Sequence, residues 1–331
     1  MSLAALDAID DAYRATGAFL RPVDRTRWAK LALIGLFVGL PTANAGGAQF
    51  GGGGPTDEQP MPGGPVDGAV DIPVEAWIAI AVAVVAAVAL ALVLLLVGSV
   101  MEFVLVESLR EERVRIRAYW RRYFRRGLRL FGFRLVVGLA VLAAVALLAA
   151  LVFVPLALDD GGTAAVLLAL LLVPAFVAIA LVAAVVGGFT TAFVVPVMMV
   201  EDCGVLSGWR RFWPTLTGQW TEYLAYIVVA FILGVVGSGL VGVVTAIIAV
   251  LLLIPFGVLA ALAFGLFVLA APVGIAAFVV VGILFALAII AVAAFVQVPV
   301  ITYLRYYALL VLGDTNEAFD LIPDQRAAVR D

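Results

Sequence analysis

Charged residues fall in a few stretches of this chain, and long apolar intervals separate them. Residues 76–101 and 135–158 carry no charge, residues 163–200 add 38 uncharged positions, and residues 223–304 add 82 more. About 20 apolar residues suffice for a helix to cross a hydrocarbon core of about 30 Å, and only a helix or a closed barrel satisfies its backbone there. The pattern therefore predicts an all-α, polytopic transmembrane bundle. Six spans are expected, at about 28–45, 76–101, 135–158, 163–196, 223–254 and 273–304. The first, opened by Trp28 beside Lys30, is the weakest.

As one straight helix the 82-residue run would be about 120 Å long, roughly twice what two crossings need. Pro255 and Pro272 bracket its middle. Two spans joined by a tilted, re-entrant or interfacial apolar hairpin are expected there, with four short crossings as the alternative.

The polar intervals orient the spans. The 20 basic residues divide as 5 in the first 30 residues, 10 in 107–134, 2 in 201–222 and 3 in 303–331. The other loops carry acids instead: Asp57, Glu58, Asp67, Asp71, Glu75, Asp159 and Asp160. Short basic loops stay in the cytoplasm, so the expectation is a multi-pass protein of the cell (plasma) membrane with both termini inside. On that reading residues 1–27 are a cytoplasmic amphipathic segment, 28–304 the membrane domain and 305–331 a cytoplasmic tail. The Gly/Pro-rich stretch 46–75 is an outer linker, with no Lys-Ser or Lys-Thr after its glycines to make a phosphate loop. In the N-terminal segment Leu6, Ile9 and Tyr13 share one helical face, which either lies on the membrane or packs on the protein's own loops.

Composition sharpens this picture. The chain is 65% hydrophobic and 13% charged, against about 25% charged in soluble domains. The net charge of -3 averages two opposite faces and says nothing about partners. With no histidine and one cysteine, Cys203, a zinc or haem site is not expected, and neither is any other cofactor. Cys203 reads as a bystander thiol.

The inner segment 107–134 is the most distinctive. Drawn as a helix, 116–131 places Ile116, Tyr119, Trp120, Tyr123, Phe124, Leu128 and Phe131 on one half. Arg117, Arg121, Arg122, Arg125, Arg126 and Arg129 take the other. This predicts an interfacial amphipathic helix whose six arginines are the candidate contacts for anionic lipid headgroups, each contributing about 1 kcal/mol. A topology anchor without a specific ligand is the plainer reading. Nucleic acid is not expected as a partner, since the segment lies against the bilayer.

Other polar groups are sparse. Glu102, near the inner end of the second span, is expected to pair with a nearby arginine. Gln297 and Thr190–Thr191 are candidates either for a polar cavity at Pro-broken helix ends or for ordinary interhelical hydrogen bonds. Rows of small residues, Ala79/Ala83/Ala87/Ala91, Ala180/Ala184/Gly188/Ala192 and Gly234/Ser238/Gly242/Ala246, suit close helix packing within the chain or a homo-oligomer. No histidine-based triad is possible, and Asp159–Asp160 is too exposed and isolated for acid-base work, so a non-enzyme is expected.

An internal repeat of about 95 residues links EFVLVESLREERVRIRAYWRRYF, from Glu102, with FVVPVMMVEDCGVLSGWRRFW, from Phe193. Both run from an apolar helix end through Val-Glu to Trp-Arg-Arg and two aromatics. FVQVPVITYLRYY, from Phe295, is a fainter third copy, which suggests a three-fold helix-pair repeat.

PVDRTRWAKLALIGLFVG and VPVMMVEDCGVLSGWRRFWPTLTGQW resemble an uncharacterised family of haloarchaeal multi-pass membrane proteins. That family is similar to the membrane domain beside some glycerophosphoryl diester phosphodiesterases. There a helix ends in a Val-Pro-x-x-x-Glu-like motif followed by a Gly and an amphipathic segment with a Trp, matched here by Val195, Pro196, Glu201, Gly204 and Trp209. No phosphodiesterase catalytic domain accompanies these motifs, so the resemblance implies a membrane module and no activity. The expected function is a non-enzymatic membrane-organising or lipid-interacting module, with a small-solute permease or channel as the alternative.

Overall fold

The computed structural model describes residues 4–42, 74–158 and 162–330. Most of the expected outer linker, with Asp57, Glu58, Asp67 and Asp71, and the Asp159–Asp160 turn lie outside the described residues. Among those described there is no strand. The helices are α1 (Ala4–Leu20), α2 (Arg25–Thr42), α3 (Val74–Arg110), α4 (Ile116–Leu158), α5 (Gly162–Phe189), α6 (Val195–Val200), α7 (Val205–Gly218), α8 (Trp220–Leu269), α9 (Ala271–Val296), α10 (Val298–Thr315) and α11 (Pro323–Arg330). A π-turn, Thr190–Val194, joins α5 to α6, and a 3₁₀ turn, Glu317–Phe319, follows α10.

Among the described residues five helical segments are long and apolar enough to cross a membrane: Val74–Arg110, Ile116–Leu151, Leu170–Val200, Trp220–Leu269 and Ala271–Thr315. The chain is thus an integral membrane protein. The expected first span corresponds to α2, whose 18 residues include Arg25, Arg27 and Lys30. Those three charges keep it out of that set, and the end of the expected span, 43–45, lies outside the described residues; it packs along α3 and α9, and a Cβ at Gly35 would lie 3.2 Å from Ile301.

Side by side, α5, α4, α3, α2, α9 and α8 each pack on the next. The core is not distributed along them. It lies at one end, where the arginines are. On α3, residues 74–92 are exposed almost all round, whereas 98–109 are buried all round. Apolar helices gain nothing by hiding from hydrocarbon, so burial is needed only where an apolar run continues past the bilayer into water. At this basic end, rings of Phe189, Phe193, Phe212, Tyr223, Tyr226 and Tyr307 pack with centroids 4.7 to 6.5 Å apart.

In the long uncharged run α8 and α9 meet at Ala270 as an apolar hairpin, its last residues, from Val298, belong to α10, and the helix end expected at Pro255 is absent. Pro255 lies inside α8 without ending it. A break in hydrocarbon would leave backbone groups without water, at several kcal/mol each, so one lost hydrogen bond is the smaller cost. The Arg-rich segment is likewise no separate interfacial helix, because α4 runs unbroken for 43 residues, about 65 Å, from Ile116 into the membrane span.

The N-terminal helix packs on the protein through a face other than that of Leu6 and Tyr13. Leu6 and Tyr13 are exposed, while Ala5, Ala8, Ala12, Ala15 and Phe19 are buried. Small alanines let α1 approach the bulky tyrosines of α10, where Tyr307 Oη donates to Ala5 O at 2.9 Å and Tyr303 Oη to Ile9 O at 3.3 Å. Arg330 Nε donates to Asp11 at 2.8 Å, so the first and last helices meet at the basic end.

Candidate functional site

Along α4 the six candidate arginines divide into two sets. Arg122 Nη1 donates to Glu107 at 3.0 Å, and Arg126 Nη2 donates to Asp202 at 2.5 Å. Both guanidinium groups also lie over the Tyr123 ring, at 5.4 and 5.2 Å. Arg117, Arg121, Arg125 and Arg129 are exposed, recur every four residues, and have no carboxylate partner among the described residues. The apolar half divides too. Tyr119 and Tyr123 enter the core with Gly127 and Leu130, but Phe124 and Leu128 stay exposed beside the free arginines. A Cβ at Gly127 would lie 2.8 Å from Val100 Cα, so α4 crosses α3 closely at this point.

One helical turn beyond, a charge cluster closes the core. Glu102 is fully buried and pairs with Arg134 at 3.1 Å and with Arg305. Arg134 also donates to Thr191 Oγ1 at 2.8 Å and to Ser99 Oγ at 3.4 Å. Arg305 Nη1 donates to Thr191 O at 2.6 Å. The π-turn explains this last bond. Val195 N–H reaches back five residues to Thr190 O, and the next residue in that spacing, Pro196, has no N–H to offer Thr191. The arginine supplies the donor instead. Trp209 Nε1 donates to Thr190 Oγ1 at 3.0 Å, which ties α7 to the same level. Thr190 and Thr191 thus make interhelical hydrogen bonds, and the pairing expected for Glu102 is present with two arginines.

The first two repeat units share this geometry in detail. Each has a helix end, a turn with an acidic residue at positive φ (Glu112 at 51°, Asp202 at 46°), and a second helix. In each, the second arginine of Trp-Arg-Arg pairs with the glutamate of Val-Glu, Arg122 with Glu107 and Arg211 with Glu201. Tyr123 and Phe212 are buried, and Phe124 and Trp213 exposed, at matching positions. The third unit has no turn and no such glutamate. Its Arg305 borrows Glu102 from the first unit, and α1 covers its tyrosines.

On the far side of the basic end, α1, α8, α10 and α11 line a cleft of about 720 Å³ bearing Asp7, Asp10, Asp11, Glu222, Asp314 and Arg330. Arg330 bridges Asp11 and Asp314, which holds its guanidinium in the charged form. No group of three or more His, Cys, Asp or Glu among the described residues is placed to hold a metal ion. Burial pushes the Cys203 thiol up, as suits an unreactive side chain. The small-residue row of α8 is open, since a Cβ at Gly234 or Gly242 would meet nothing within 4 Å.

Sequence reasoning missed Arg134 and Arg305 as core residues. Their position as the charges that border an uncharged run, Arg134 before 135–158 and Arg305 after 223–304, was the available signal. No curated protein and no solved structure matches the chain. Residues 3–322 match a family of unknown function (DUF7544), and the chain belongs to that family.

Proposed function

We propose that this integral membrane protein is a non-enzymatic, lipid-interacting module of the cell membrane, with its basic end and both termini in the cytoplasm and its free arginines facing anionic headgroups. The observation that carries the reading is the division on α4. Two arginines are consumed in ion pairs, whereas Arg117, Arg121, Arg125 and Arg129 form an exposed row with no carboxylate partner among the described residues. At about 1 kcal/mol each for those close to an anionic leaflet, four set an upper bound of about 4 kcal/mol.

Because α4 is continuous, the row stands along the helix axis. It extends about 18 Å from Arg129 to Arg117, more than two Debye lengths of about 8 Å. Arg129 and Arg125 sit nearest the headgroups, so their contributions exceed those of Arg121 and Arg117. Spin-labelled lipids around the full-length protein in bilayers test this. A preference for anionic over zwitterionic lipid is expected, weakened by salt and lost mainly in the Arg125→Gln/Arg129→Gln variant. Equal association of the two lipids with the unaltered protein would sink the reading.

A further inference from the structure

We propose that α7 and the start of α8 form a second lipid-binding face, separate from the α4 row, in which Leu206, Trp213 and Trp220 enter the inner leaflet and Arg210 holds a lipid phosphate. It rests on the reading that the basic end meets a lipid leaflet, but not on the α4 arginines.

Three sides of α7 differ in chemistry. Val205, Gly208 and Phe212 face the core, with a Cβ at Gly208 only 2.9 Å from Val194. About 100° round the helix, Leu206 and Trp213 are 75% and 56% exposed, with Arg210 at their border. On the opposite edge Arg211 is paired with Glu201, whereas Arg210 has no carboxylate partner among the described residues. A cation left free beside a paired one, at the margin of exposed tryptophan and leucine, is the arrangement that suits a phosphate at an apolar boundary.

Position supports the same partner. Through Trp209 and Thr190 the helix is fixed at the level of the Glu102 cluster, where the core begins. Further along the chain Trp220, 62% exposed, and Leu224, Ile227, Val228 and Phe231 on α8 are exposed as well. Those last residues belong to a helix long and apolar enough to cross the membrane. Exposed apolar residues thus run on in sequence from α7 into a membrane-crossing helix. In the third repeat unit the corresponding ring, Tyr307, is covered by α1 and buried. The protein supplies its own cover there and leaves Trp213 to the bilayer.

The test uses the full chain with Cys203→Ser, in bilayers, spin-labelled singly through Leu206→Cys, Ser207→Cys or Leu139→Cys. The expectation is that the Leu206 label collides several-fold more with oxygen than with a water-soluble nickel complex, as the Leu139 label does, and that Ser207 shows the reverse. A Leu206 label as open to nickel as Ser207 overturns the proposal alone if Leu139 remains in lipid. If Leu139 is also in water, the reading of this end as membrane-facing falls with it. In a chain with Arg117, Arg121, Arg125 and Arg129 all changed to Gln, Arg210→Gln should reduce the remaining preference for phospholipid over a neutral glycolipid at least two-fold. An unchanged preference removes Arg210 as the phosphate ligand.

Discussion

Glu102 and Arg305, 203 residues apart in the chain, form an ion pair inside the basic end, and Arg134 shares the same carboxylate. Two cations on one buried anion make each partner's removal costly, because the others are left uncompensated. Glu102→Ala is expected to lower unfolding stability by about 3–5 kcal/mol. Replacing all three with Leu and Met should cost less than that single change. Reversible unfolding in mixed micelles measures both; a triple variant weaker than Glu102→Ala would refute the argument.

Close approach of α3 and α4 gives a second contrast. Gly127→Ala pushes a methyl against Val100 backbone and should cost about 1–3 kcal/mol. Gly138→Ala on the same helix meets nothing within 4 Å and should be neutral or slightly stabilising. Equal effects in the same unfolding assay would mean the crossing is looser than described.

The two equivalent ion pairs of the repeat are not equal in consequence. Glu107 is 1% exposed and Glu201 31%. Removing Arg122 takes the 3.0 Å donor from a buried carboxylate, leaves Arg110 at 3.8 Å, and should cost about 1–3 kcal/mol. Arg211→Ala, at a largely solvated pair, should cost less than about 1 kcal/mol. Thermal denaturation of the two single variants, read side by side, settles the order.

Cys203 offers a pH test. Burial raises its pKa, against the weaker pull of Arg126 and Arg129, so its thiolate forms later than that of a free cysteine. Alkylation of the folded protein should reach half its maximal rate above pH ~8.5, the value for an unperturbed thiol. A midpoint below that would show that the arginines win over desolvation.

Much of the architecture was legible because hydrocarbon imposes one rule on every span, and uncharged runs announce it. Helices α3, α4, α5, α8 and α9 follow from it directly. Misread features depended on competition that a single helix does not show. On α1, the alanine face that meets the tyrosines of α10 went unread, because only the partner helix shows that small side chains are needed there. At Pro255 the absence of water outweighed a local helix breaker. The candidate arginines were visible as a set, but their division was not, since Asp202 reaches Arg126 from 76 residues away. Arg305 looked like the start of a tail, and only its partner in another repeat unit makes it part of the core.

The α8–α9 hairpin carries a consequence for the surrounding bilayer. Helix α8 is 50 residues, about 75 Å, and tilted by 40° it would still rise about 57 Å against a hydrocarbon thickness of about 30 Å. At its tip Phe264, Val268 and Leu269 are exposed. Such hydrophobic mismatch must be absorbed by thicker lipid, by a steeper lean, or by a neighbouring copy. Since α3 to α5 are shorter, the mismatch falls on one flank, and under the lipid-interacting function proposed above the protein would sort lipids by length around its perimeter as well as by charge beneath it.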